Sequence, residues 1–164
     1  MAQPNYGSPW RRWLPRWSRA QSLLTILIAA VTADHEEDPR ENVAVEAIIM
    51  RSRSIRALSR KKLDEMLTVV HVQLGLDKAS PEPLDAATLE YIKRRRAKAL
   101  KRATRAFYND PNLRAGVFLQ ALDILRADMT LLQSEERFYK DLAAMLNLAD
   151  VREYVDLIND KNKH

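Results

Sequence analysis

A chain of 164 residues, 46% of them hydrophobic and with charges of both signs, is long enough to bury one core and too apolar to stay unfolded. Its three glycines are too few for a phosphate-cradling loop or a dinucleotide fingerprint, and the absence of cysteine excludes disulfides, thiolate metal sites and a cysteine nucleophile. The net charge of +5 is unevenly laid out, with six acidic groups against one basic in residues 34–50 and fifteen basic against six acidic in residues 51–105. Such a basic middle is expected to pair with acidic parts of the chain or to meet an anionic partner.

Residues 1–17 combine Pro4, Pro9, Pro15 and Gly7 without a sustained period, which predicts a mobile tail ahead of a helical domain over 18–160. In that tail Trp10, Trp13 and Trp17 interleave with Arg11, Arg12 and Arg16, a composition that sits well at lipid headgroups; a plain solubilising tail is the other reading. The arginines, the apolar run Leu23–Val31 and Ala33 also mimic a secretory leader. The Ser18-x-x-Gln21 capping box favours instead a retained helix over 19–33, apolar nearly all round and therefore central in a bundle.

Asp38 as N-cap, Pro39 at the first helical position and Glu41 at the third predict the next helix, running to about Arg56. Ser59 caps a third, with Leu63, Met66, Leu67, Val70 and Leu74 on one face and Gly75 at its close. After a linker over Lys78–Pro83, a long helix spans Asp85–Asn109. Its stripe of Leu89, Ile92, Leu100, Ala103 and Phe107 faces inward, and Arg94, Lys98, Lys101, Arg102 and Arg105 cluster opposite. Asp110-Pro111 opens a fifth helix to Ala127, a sixth covers 131–146, and a short seventh covers 151–158. No segment alternates at period two, so the expected fold is an all-α, single-domain bundle of about seven helices.

Asp34 and Asp128 each end an apolar helix on its buried side, where the electronegative helix terminus disfavours a carboxylate. Three compensations are open: amides of the following turn, an arginine, or a shared divalent cation. For a cation, calcium or magnesium would suit the oxygen donors of Asp34, Glu36, Glu37, Asp38 and Glu41, joined by Asp128 and Glu135 of the second copy; the spacing is not that of an EF-hand. Arg96 falls on the apolar side of its helix and must find a carboxylate, with Asp34 or Asp128 as candidates, or run its head out to solvent. The basic face of Arg94, Lys98, Lys101, Arg102 and Arg105 suits phosphates of nucleic acid or lipid; lacking an aromatic residue to stack on, it also reads as a solvated helix face. His35, His71 and His164 have no paired ligand spacing, His71 reading as a core-edge residue, and no nucleophile–base order can be assigned. A non-enzymatic protein is expected.

Ala33-Asp34-His35 with Glu41 recurs as Ala127-Asp128-Met129-x-Leu131 with Glu135 at the same spacing. Leu74-Gly75-Leu76 is matched by Leu146-Asn147-Leu148, and Asn109-Asp110-Pro111 with Arg114 precedes the second copy. Over about Ser18–Leu148 this doubled pattern resembles the TerB-like domain, the family of the tellurite-resistance protein TerB, related to the N-terminal domain of the co-chaperone DjlA; His35 and Met129 stand where that family has glycines. The resemblance implies two related helical halves and a cytoplasmic interaction or scaffold module in stress response. It also implies contact with a protein partner, a divalent cation and the inner face of the membrane, with no small-molecule substrate. Nucleic-acid binding through the basic helix 93–105 is the rival expectation.

Overall fold

The computed structural model describes residues 17–33, 39–78, 85–125 and 133–148, with backbone alone at 39–44, 78, 125 and 133–135. Among them are seven α-helices and no strand: α1 (Arg19–Val31), α2 (Pro39–Arg51), α3 (Arg53–Arg56), α4 (Arg60–Gln73), α5 (Ala86–Thr104), α6 (Pro111–Leu125) and α7 (Gln133–Met145). Single 3-10 turns follow α4 at Leu76–Lys78 and α5 at Arg105–Phe107. The fold is an all-α single-domain bundle. Its helices differ from the expected ones in three places, the first being that the long helix expected over Asp85–Asn109 ends at Thr104 and passes into a 3-10 turn. The helix expected to run to Arg56 breaks at Ser52, which has left the helical region at ψ 119° and starts the short α3; the helix expected over 151–158 lies outside the described residues.

Local chemistry sets the helix starts. Ser18 Oγ accepts from Gln21 N at 3.2 Å, Ser59 Oγ from Lys62 N at 3.3 Å, and Asp85 Oδ1 from Thr88 N at 2.6 Å. Asp110 Oδ1 takes the amides of Asn112 and Leu113, at 3.0 and 3.1 Å. Each satisfies amides that a helix start leaves without partners. Ser18 supplies only half of the capping box it suggested: the Gln21 side chain turns away and donates to Gln73 Oε1 at 3.2 Å, tying α1 to α4.

Helix closure is just as local. Gly75 (φ 77°) and Asn147 (φ 54°) take the left-handed conformation expected of Leu-Gly-Leu and Leu-Asn-Leu. After α7, Leu148 N reaches Ala143 O at 3.0 Å and Asn147 N reaches Ala144 O at 3.1 Å, the paired bonds of a Schellman closure.

Helix α1 is the centre of the bundle, in contact with α2, α3, α4, α5 and α6. Leu23, Leu24, Ile26, Leu27, Ala29, Ala30 and Val31 are all buried, as the all-round apolar sequence requires. Thr25 is tolerated there because its hydroxyl donates to Gln21 O at 2.8 Å. From α6 the core takes Phe118, Ala121, Leu122 and Ile124, with Phe118 edge-on to Tyr139 of α7 at 6.2 Å between ring centres. Helix α5 contributes Ile92, Ala99, Leu100 and Ala103, so its inward stripe is as expected and its basic side faces out. His71, by contrast, is exposed, its Nδ1 2.8 Å from Leu67 O, and is not a core-edge residue. No described helix is long and apolar enough to cross a membrane.

Candidate anion-binding site

From Lys93 to Arg105 the chain holds eight basic residues, and no acidic residue occurs between Glu90 and Asp110. On α5 and the 3-10 turn that continues it, six of these cations form two groups with different work. Arg95 and Arg96 turn toward the bundle and close neighbouring helices. Arg96 Nη1 donates to Thr32 O at 2.9 Å and to Thr32 Oγ1 at 3.1 Å, and its Nη2 donates to Ala29 O, so the guanidinium sits on the C-terminal end of α1. Its carbon stands 5.5 Å from the centre of the Phe138 ring. Arg95 Nη2 donates to Val72 O at 3.1 Å, at the end of α4. On α6, Arg114 does the same for α7 through Leu146 O at 3.3 Å. Helix C-termini offer unpaired carbonyls and negative partial charge, which a guanidinium answers with both hydrogen bonds and charge. Arg96 lies on the inward side of its helix as expected and meets carbonyl oxygens there, while Asp34 and Asp128, the carboxylates expected as its partners, lie outside the described residues.

The second group, Arg94, Lys98, Lys101 and Arg105, is exposed and spans about 60° of the helix circumference at 100° per residue. Arg94 has Glu90 at 3.6 Å, a solvent-exposed pair that adds little. Beside this stripe the chain opens a cleft of about 210 Å³, lined by Trp17, Gln73, Arg95, Lys98, Ala99 and Arg102. Trp17 closes one wall, its ring 4.8 Å from the Arg102 guanidinium carbon. Helix α5 carries one exposed aromatic residue, Tyr91 near its start, beside the basic stripe; the structure adds Trp17 from the residue before α1, which makes Trp17 part of the fold and not of the tail. No pattern within α5 could have signalled this, since the contact joins positions far apart in the chain.

Around the cleft the surface is partly apolar. Val69 and Val72 of α4 are 46% and 43% exposed, and Tyr91 of α5 is 43% exposed with Arg95 6.0 Å from its ring.

The other expected site residues are not brought together by the described part of the chain. Asp34, Glu36, Glu37, Asp38 and Asp128 lie outside the described residues, as do Trp10, Arg11, Arg12, Trp13 and Arg16. Glu41 and Glu135 are placed by backbone alone, in α2 and α7. Among the described residues no group of three histidines or carboxylates is positioned to hold a metal ion. No family model, curated protein or solved structure matches this chain.

Proposed function

We propose that the chain is a non-enzymatic helical interaction module that docks on an anionic membrane surface through the outer face of α5 and the Trp/Arg-rich segment before α1. The observation that carries this reading is Trp17 seated on Arg102: the last tryptophan of that segment joins the fold at the basic stripe. In the sequence Trp10, Arg11, Arg12, Trp13 and Arg16 immediately precede Trp17. Exposed Val69 and Val72 near the cations suit a lipid interface, where aliphatic side chains enter the headgroup region beside basic ones. Each outward cation near an anionic leaflet is worth about 1 kcal/mol, so four supply about 4 kcal/mol, roughly a thousandfold in affinity at low salt.

Vesicle flotation tests it. The protein is expected on phosphatidylserine-containing vesicles and not on neutral phosphatidylcholine vesicles, with binding weakened by salt and lost in the Lys98→Glu, Lys101→Glu variant. Equal binding of variant and wild type would overturn the reading. Tighter, salt-sensitive capture of single-stranded DNA than of vesicles would instead favour the nucleic-acid alternative.

The TerB-like resemblance fits the same proposal, as a scaffold in stress response with a protein partner at the inner membrane face. What supports it is the all-α bundle and the matching left-handed closures at Gly75 and Asn147. A calcium or magnesium ion at Asp34–Glu41 belongs to this proposal too. Isothermal titration with either ion checks it, and absence of heat at about millimolar concentration removes it.

A further inference from the structure

We infer that the cleft between Trp17, Gln73 and α5 is a specific site for a phosphomonoester group, the headgroup of a lipid such as phosphatidic acid or its soluble counterpart. Four polar side chains line the cleft, and they are those of Gln73, Arg95, Lys98 and Arg102, with no carboxylate among them. Three are cations. The fourth, Gln73, has its Oε1 engaged by Gln21 Nε2 at 3.2 Å, which leaves its own amide nitrogen as the group available to a ligand. Every group offered is therefore a donor, and the site selects an anion.

Arg95 adds a second observation. Its Nη2 is committed to Val72 O at 3.1 Å, while its Nε lies buried without a hydrogen-bond partner among the described residues. A buried unpaired donor on a guanidinium is unfavourable; solvent does not reach this atom, so an anion in the cleft pairs with it when the Arg95 head turns toward the ligand. Lys98, one turn on, takes part in no ion pair among the described residues. The Arg102 guanidinium, 4.8 Å from the centre of the Trp17 ring, adds a positive charge to the wall of the cleft.

Size and charge narrow the ligand. A volume of about 210 Å³ is below the roughly 300–1,000 Å³ of cofactor-sized pockets, so a headgroup fits and a whole nucleotide cofactor does not. A phosphomonoester brings roughly −1.5 to −2 charge at neutral pH and three terminal oxygens, matching three cations and an amide. A phosphodiester brings one charge and two terminal oxygens, and both of its ester branches must leave the cleft. Carboxylate-bearing phosphatidylserine presents its phosphate only as a diester.

The site deepens the membrane reading, and rests on it where the source is a lipid. The test has two arms, the first on the unaltered full chain and the second on the full chain carrying Trp10→Phe and Trp13→Phe so that Trp17 is the reporter. In the first, flotation compares phosphatidic acid with phosphatidylserine vesicles of equal surface charge. In the second, Trp17 fluorescence is followed during titration with glycerol 3-phosphate, with glycerol and sulfate as controls. The expected result is about tenfold preference for phosphatidic acid, a saturable Trp17 signal with glycerol 3-phosphate, and loss of both in Lys98→Gln, Gln73→Leu. That variant leaves Arg95, Arg96 and their helix ends untouched, and an unchanged circular dichroism spectrum confirms that it folds. Equal binding to both vesicles with no fluorescence response overturns the specific site and leaves the membrane reading standing. A fluorescence response lost in the variant, without binding to any vesicle, supports the site with a soluble phosphomonoester and overturns the membrane reading. No response in either arm overturns both.

Discussion

Replacing Arg96 by methionine tests whether a guanidinium on a helix end holds this bundle together. Methionine keeps most of the stem and its apolar contacts, so the change isolates the head group. The wild-type head donates to Thr32 O at 2.9 Å, to Thr32 Oγ1 at 3.1 Å and to Ala29 O, and faces Phe138 at 5.5 Å. Hydrogen bonds from a charged donor are each worth about 1.5–3 kcal/mol when buried. Arg96 is half-buried, so water recovers part of what is lost and the lower end applies. With two carbonyls left short of a donor and a favourable charge removed from the helix terminus, the expected destabilisation is about 2–4 kcal/mol. For a chain of this size that lowers the melting temperature by roughly 5–15 °C. Urea titration followed by circular dichroism reads it directly: the midpoint falls while the slope stays that of the wild type. Arg96→Lys keeps a cation but not the fork, and is expected to lose about half as much. A loss within about 0.5 kcal/mol for Arg96→Met would refute the assignment, since that is the range of an ordinary surface substitution.

The two left-handed closures predict opposite responses to small substitutions. Gly75→Ala, at φ 77° and with an added methyl 3.3 Å from the Ile92 Cα and 3.4 Å from the Arg95 Cβ, is expected to cost about 1–3 kcal/mol in urea titration. Asn147→Gly, at φ 54°, is expected to be neutral or to stabilise by a few tenths of a kcal/mol, and Asn147→Val to cost about 1–2 kcal/mol. Tyr139→Phe removes the buried bond from Tyr139 Oη to Leu122 O at 3.0 Å and is expected to cost about 1 kcal/mol without changing the ring packing on Phe118. The Asp85 carboxylate, held below its ordinary value of 3.8 by hydrogen bonds from the Thr88 backbone and side chain, adds stability that is present above pH 3.8 and lost as pH falls through the lowered value. In Asp85→Ser, whose hydroxyl can still cap but does not titrate in this range, the drop in melting temperature across that interval should be smaller than in the wild type.

What the sequence showed and what it hid divide along the distance between interacting residues. Ser18, Ser59, Asp85, Asp110, Gly75 and Asn147 act on backbone within a few positions of themselves, and each sits where its chemistry predicts. The burial of α1 is equally legible, because an all-round apolar helix has nowhere else to go. The break at Ser52 was not: no glycine or proline marks it, and Ser52 makes no side-chain cap bond to the start of α3. The aromatic wall of the cleft and the partners of Arg95 and Arg96 depend on which helix ends meet α5, and that is a property of the topology. Side-chain periodicity tells which way Arg96 points; it does not say whether a carboxylate or a carbonyl waits there.

Arg95 and Arg96 are consecutive residues that fasten two different helices, α4 and α1, to one point on α5. A shift of α5 by a single residue rotates its side chains by about 100° and slides them about 1.5 Å, so neither fastening would survive it. The pair therefore acts as an indexing pin. An inserted or deleted residue between Arg96 and the buried Ala103 would set the pin and the apolar stripe against each other, whereas length changes in the segment between α4 and α5 leave them in step.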